Sequence, residues 1–274
     1  MPIVAATSRE DKTVPILIRE DHGAVARLTL NSPGSLNALS DEMLSALAEA
    51  FAALAEDRSI RAVVISGAGK VFSAGHDLKQ MQAARNATDG GRAYFDDLFR
   101  RCGVVMQMIP ALPQPVIAEV HTIAAAAGLQ LAASCDMVVA AAGTRFGVNG
   151  VNLGLFCSTP SVALTRALPR KLAFEMAATG AFIDTDRALA GGLINRVVPA
   201  ERLTEETMAL AGVVASKLDI AVKLGKAGFY AQIDQPLDAA YDIAGPVMGE
   251  NMMQADTAEG IQAFIEKRKP SWDQ

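Results

Sequence analysis

AAAAGLQLAASCD, residues 124–136, joins four alanines and a glycine to a helix-forming run. The unpaired N–H groups and the dipole at a helix start favour an anion or a developing negative charge. A second stretch, Val71-Phe72-Ser73-Ala74-Gly75-His76-Asp77-Leu78-Lys79, carries small residues that let the backbone turn tightly and approach a ligand. Alone it suits either a strand-to-helix turn capped by Asp77 or a turn that aims the His76 N–H at a ligand oxygen. Together the two stretches suggest two backbone donors converging on one oxygen, an oxyanion hole. Gln130 stands one turn into the first run. It is a neutral amide where acid–base chemistry would want a carboxylate.

Other chemistries fare worse. Gly67-Ala68-Gly69-Lys70 follows a β-rich run, but Phe72 stands where a dinucleotide fingerprint needs its third glycine. Val71 stands where a P-loop needs Ser or Thr. His22, His76 and His121 show no spacing that would hold a metal, so no metal site is expected. Cys157 would need a neighbouring base to act as a nucleophile, and the sequence offers none. His76 titrates near neutrality and is the first acid–base candidate, set against a packing role. His121 reads as structural. Glu119 lies in a strand whose buried face the sequence does not fix.

These groups need a scaffold. Ile16–Leu30 reads as a hairpin turning at Asp21-His22-Gly23. Ser40 is a good N-cap, and Leu44, Leu47, Phe51 and Leu54 follow at helical spacing. Ala62–Ser66, Val116–Val120 and Met137–Ala141 read as strands. Residues 80–108 read as helix interrupted by Asp89-Gly90-Gly91, and Pro110, Pro113 and Pro115 as a stiff connection. The 124–128 run is expected to open a helix. Strands alternating with helices predict an α/β core with parallel pairing. After Val198-Pro199 only helices are expected, at 201–218, 219–232, 236–250 and 256–268. The division is a core of residues 1–199 and a helical oligomerisation region of residues 200–274.

The chain has 274 residues, is 51% apolar and carries a formal charge of −5, so it can bury a sizeable core and offers no basic stripe to nucleic acid. The apolar stretch from Val116 to Gly143 is broken by Glu119, His121, Gln130 and Asp136 and is no membrane span. MPIVAATSREDKTV lacks a signal-peptide pattern. Cys102, Cys135 and Cys157 are widely spaced, without a CxxC pair, which suits a reducing compartment. These features predict a soluble cytoplasmic protein.

Five blocks resemble the enoyl-CoA hydratase/isomerase (crotonase) family in order and spacing over roughly residues 15–270. They are PxxLNAL at Pro33–Leu39, FSAGHDLK at Phe72–Lys79, PVIAEVHTIAAAAGLQLAASCD at Pro115–Asp136, FGVNGVNLGL at Phe146–Leu155 and FIEKRKP at Phe264–Pro270. The last block and GLFCSTP at 154–160 are most similar to the hydratase-domain-containing branch. The resemblance implies a crotonase-like α/β spiral of ββα units with a C-terminal region that builds trimers, often paired into hexamers. It implies a coenzyme A thioester as substrate or ligand, a lyase of fatty-acid metabolism, and no required cofactor. By position the oxyanion donors are the N–H groups of His76 and Ala127; family hydratases usually carry glycine at the second. Ser35, Leu36, Ala38, Ala74, His76, Asp77 and Leu78 fall on the nucleotide and pantetheine side. Phe264 and Lys267 are placed to reach a neighbouring subunit's coenzyme A. Gly34 replaces a basic residue common in the family. Asp77 is assigned to the turn or the adenosine site, and Asp136 to buried backbone.

The resemblance also exposes a departure. Family hydratases flank a water with two glutamates, whose positions are taken here by Gln130 and Gly150. General acid–base catalysis contributes about 10²–10⁴-fold, so losing both carboxylates argues against ordinary hydration. The rivals are other enolate or thioester chemistry (isomerisation, decarboxylation, hydrolysis) and a non-catalytic acyl-CoA-binding protein.

Overall fold

The computed structural model describes residues 14–272; the N-terminal leader reading falls almost wholly outside them. The expected hairpin is β1 (Leu17–His22) and β2 (Val25–Leu30), antiparallel, turning at Gly23 with φ +62°. Next comes α1 (Asp41–Glu56), capped by Ser40, whose Oγ accepts the Met43 N–H at 3.2 Å. Its buried stripe is Met43, Leu44, Leu47, Phe51 and Leu54, as helical spacing required. The remaining strands are β3 (Ala62–Gly67), β4 (Val116–Val120), β5 (Ile123–Ala125), β6 (Met137–Ala141), β7 (Arg145–Gly147) and β8 (Arg196–Val198).

The main sheet has the order β1-β2-β3-β4-β6-β8 and is parallel from β2 onward. β5 and β7 pair in a separate two-stranded parallel sheet. Both faces of the main sheet are covered, which explains its continuous apolar runs. Val63, Ile65, Ala118 and Val138 pack into one core with α1 and with α3 (Arg92–Ala111). Val64, Ile117 and Val139 pack beneath Leu203, Leu210 and Ala211 of α8 (Leu203–Ala215).

α2 (Leu78–Ala84) precedes α3, and Gly90 and Gly91 in left-handed conformation separate them, where the break was expected. Pro110 departs from expectation. It lies inside the last turn of α3, where burial of Met106 and Ile109 carries the helix on to Ala111. The 124–128 run also departs: Ala124 and Ala125 are strand, and α4 (Ala127–Ser134) starts only after Ala126. Backbone bonds to neighbouring segments hold these residues extended, Ala125 N–H to Ser73 O at 3.0 Å and Ala126 N–H to Gly147 O at 2.8 Å.

α5 (Ser158–Ala167), α6 (Arg170–Thr179) and α7 (Thr185–Gly191) complete the part before β8. α8 is followed by α9 (Asp219–Gln232), α10 (Leu237–Met252) and α11 (Ala255–Ile265). The join expected near Val198-Pro199 falls in the connection from β8 to α8. No helix among the described residues is long and apolar enough to cross a membrane.

Candidate active site

The first wall of the site begins at Pro33–Ser35, a single 3-10 turn. Leu36 and Asn37 follow with φ +56° and +53°, which costs about 1–3 kcal/mol each for a non-glycine residue and needs outside support. Asn37 supplies it. Its side chain is fully buried, its Nδ2 donates to Ala68 O, Val71 O and Phe72 O at 2.8, 2.9 and 3.1 Å, and its Oδ1 accepts the Ser32 N–H. The clamp holds this turn against the segment that follows β3. Ala74 N–H then donates to Leu36 O at 3.0 Å and Leu39 N–H to Gly75 O at 2.7 Å. The two motif stretches are thereby one wall.

Gly75 joins that wall to α4. Its φ is +101°, and a Cβ there would stand 2.9 Å from Ala126 Cβ and 3.2 Å from Ala127 N. Only glycine allows this approach. Ala126 takes φ +47° at the N-cap of α4, a strained conformation for alanine. Among the described residues, neither the His76 nor the Ala127 N–H serves a turn, cap or loop bond within the protein. His76 and Ala127 line one cavity of about 640 Å³, together with Ser35, Leu36, Ala38, Ala74, Asp77 and Leu78.

The His76 side chain is tied elsewhere. Nδ1 lies 3.2 Å from the Leu39 carbonyl, which can only accept, so Nδ1 carries the proton. The ring meets Phe99 edge-on at 5.7 Å, and Nε2 is buried without a partner. Burial lowers the imidazole pKa, the Leu39 carbonyl opposing it, so the ring is held neutral. In this arrangement the side chain packs, and its backbone N–H is the group free for a ligand. Asp77 caps α2, accepting Lys79 N–H at 2.8 Å and Gln80 N–H at 3.2 Å.

Opposite lies the segment of residues 149–160. Asn149, Gly150, Leu155, Phe156, Cys157 and Thr159 line the cavity there. Gly150 has no room for a side chain. A Cβ would abut the Leu155 carbonyl oxygen and stand 2.7 Å from Cys157 Sγ. Burial pushes the Cys157 thiol pKa up, which keeps it protonated. Gln130 is buried at 4% exposure with Oε1 4.0 Å from Cys102 Sγ, and it is not among the cavity-lining residues.

Phe264 is 84% exposed at the end of α11, and Lys267 follows with φ +56°. Neither lines the cavity of its own chain. Glu119 turns to the α8 face, where Oε1 accepts from Arg27 at 2.8 Å and from Thr204 at 3.0 Å. His121 bonds Gly69 O at 3.1 Å, a structural contact. Asp136 accepts the Val116 N–H at 2.6 Å, the buried-backbone bond expected of it. No group of His, Cys, Asp or Glu among the described residues could hold a metal ion. Sequence reasoning missed Met81 and Phe99 as cavity residues. Their helical periodicity marks them as apolar faces but not which cavity those faces meet.

Comparisons with known proteins give the family. The enoyl-CoA hydratase/isomerase family model matches residues 20–274. The enoyl-CoA hydratase domain-containing protein 3, mitochondrial, of Xenopus laevis is 43% identical over 269 residues, 98% of this chain and 90% of that protein. Its Homo sapiens counterpart is 45% identical over 267 residues, covering 97% and 86%. The crystal structure of an enoyl-CoA hydratase from Mycobacterium smegmatis superposes with a TM-score of 0.91 at 50% identity, covering 95% of this chain and all of that one. These relatives overturn the cytoplasmic expectation, since the Xenopus and human proteins are named as mitochondrial. Widely spaced free cysteines report a reducing environment, not which compartment provides it. The crotonase-type α/β fold, the order of the sequence blocks and the cavity they enclose lead to one assignment: the chain belongs to the enoyl-CoA hydratase/isomerase family.

Proposed function

We propose that this protein binds a coenzyme A thioester in the cavity between the Ser35–Ala38 wall and the segment of residues 149–160, and stabilises the enolate of that thioester. The observation that carries this reading is the packing of Gly75 against Ala126 and Ala127, which places two unused N–H groups beside one cavity. The thioester oxygen sits between the His76 and Ala127 N–H groups and takes on charge as the enolate forms. Removing one such donor typically costs about 2.7–4 kcal/mol of transition-state stabilisation. Ser35, Leu36, Ala38, Ala74, Asp77 and Leu78 take the nucleotide and pantetheine arm. Met81, Phe99, Leu155 and Phe156 offer apolar surface to the acyl chain.

By family the protein falls with the enoyl-CoA hydratases, lyases of fatty-acid metabolism, and no resident cofactor enters this reading. The hydratase acid–base pair does not: position 130 is a buried amide that does not line the cavity and position 150 is closed. That closure favours enolate chemistry without a paired carboxylate. Decarboxylation of a thioester that carries a carboxylate on its α-carbon is the example that needs no base, because cleavage of the C–CO2 bond leaves the electron pair on the α-carbon as the enolate, which then takes a proton from water. The protein works as a homotrimer or a pair of trimers, with Phe264 and Lys267 reaching the neighbouring copy's ligand. The exposed Leu237, Tyr241, Met253 and Phe264 of the terminal helices support an assembly.

Crotonyl-CoA tests the reading, following loss of the conjugated thioester absorbance with product masses as a check. Binding with turnover far below the roughly 1–10³ per second of ordinary enzymes is expected. Turnover in that range would overturn the inference drawn from Gln130 and Gly150; absence of binding would overturn the site itself.

A further inference from the structure

We propose that the Ser73 hydroxyl is a positioning residue of this site, setting the orientation of the His76 N–H relative to the Ala127 N–H. The inference rests on the thioester reading above and names a residue that cannot touch the ligand, because Ser73 is fully buried.

Ser73 is bonded to every segment that forms the donor pair. Its Oγ donates to Asn37 O at 2.8 Å and accepts the Gly75 N–H at 3.3 Å. The hydroxyl therefore holds the Ala74–Gly75 peptide, one unit before the peptide that carries the His76 N–H, and ties it to the clamped Asn37 turn. On the other side, Ser73 bridges Ala124 in parallel, and its carbonyl accepts the Ala125 N–H at 3.0 Å. That bond governs the entry into Ala126 and Ala127. α4 is pressed onto the same residue: a Cβ on Gly128 would lie 2.6 Å from Ser73 Cβ, O and Oγ. One side chain and its backbone thus set both donors. With the hydroxyl gone, Gly75, at φ +101°, loses its only side-chain bond among the described residues. The Gly75–His76 peptide is then held by the Leu39 N–H on Gly75 O alone, so the His76 N–H has a wider range of directions, while the contact surface for the ligand stays as it was.

The test uses full-length protein and a chromophoric thioester, para-dimethylaminocinnamoyl-CoA, whose absorption moves to the red when donors polarise its carbonyl. Wild type at saturation is expected to show that shift. Ser73→Ala is expected to bind within about threefold of wild type, as for a residue away from the ligand, yet to lose half or more of the shift. Thermal melting reports whether the variant is folded. If it is not, Ser73→Cys, which keeps a weak donor, is read in its place and is expected to give an intermediate shift. A folded variant with the full wild-type shift overturns the proposal. A wild type that binds the probe without any red shift overturns the enolate reading instead, and the two failures are told apart by which protein shows them.

Discussion

Cys157 Sγ lies 2.7 Å from the point where Gly150 would carry a Cβ, and the Leu155 carbonyl oxygen closes the same space. Position 150 is therefore not a hydratase site awaiting its carboxylate. The segment of residues 149–157 has folded into the volume that a side chain would need, with the Leu155 N–H bonded to Gly150 O at 3.0 Å.

Gly150→Glu is accordingly expected to destabilise the protein by about 1–3 kcal/mol or more, the usual cost of overpacking, and to add no hydration of crotonyl-CoA. Thermal melting and the absorbance assay check the two halves. A variant of wild-type stability that hydrates crotonyl-CoA would show that the segment yields readily.

Gln130→Glu fails for a different reason. The site is buried, and the Gln130 side chain has the Cys102 thiol at 4.0 Å as its hydrogen-bond partner. A carboxylate there would meet no cation in hydrogen-bond contact, so its folded-state pKa would rise above the unfolded value. Such an acid holds more protons folded than unfolded, so stability falls as pH rises through the interval between the two pKa values, at about 1.4 kcal/mol per pH unit. Denaturant melts at pH 5 and pH 8 should show Gln130→Glu losing ground to wild type at the higher pH. Equal gaps at both would mean that the carboxylate finds solvent.

The His76 imidazole gives the opposite slope. Burial lowers its pKa below the ordinary 6.5, so the unfolded chain binds a proton that the folded protein refuses. Stability from this group is present above pH 6.5 and is lost as pH falls from there toward the folded value, at about 1.4 kcal/mol per pH unit within that window. His76→Gln removes the titration and should flatten stability between pH 7 and pH 5. Because every residue at position 76 except proline keeps its N–H, the same variant should still redden the cinnamoyl thioester.

The boundary between what was legible and what was not follows the physics of pattern. The hairpin at Leu17–Leu30 announces itself through two β-rich runs flanking a polar Asp-His-Gly turn, and α1 through a capping Ser40 hydroxyl and an apolar stripe at a period of 3.6. β5, β7 and β8 have three residues each, too short for a period to register. Ala126 adopts φ +47° without the glycine that would have signalled it, and tertiary bonds to Ser73 and Gly147 override its helical preference. The motif blocks did bring together Ser35, Leu36, Ala38, Ala74, His76, Asp77 and Leu78, which line one cavity. That Gln130 is buried beside Cys102 of α3 was invisible, because which neighbours a helical side chain meets depends on the elements packed around it.

The buried charge pair that anchors the terminal helices offers the last expectation. Lys226 on α9 reaches between the end of α3 and the start of β4, giving its three protons to Ile109 O and Gln114 O at 2.9 Å and to Asp136 Oδ2 at 2.6 Å. Tyr230 donates to Asp136 Oδ1 at 2.7 Å, and burial drives the phenol pKa upward. Burial also lowers the Lys226 pKa, with the charge of Asp136 opposing it. Breaking a pair this enclosed, with side chains 6% and 13% exposed, leaves the Asp136 charge without a countercharge and the Gln114 carbonyl without its donor. Lys226→Met should therefore cost about 3–5 kcal/mol. Adding Asp136→Leu should cost less than the two single changes summed, because the orphaned charge is removed with its partner. Denaturant melts of the four proteins in this cycle measure the coupling. If the changes simply add, Lys226 holds α9 through the Ile109 and Gln114 carbonyls alone, and the charge of Asp136 contributes nothing to how the terminal helices are seated.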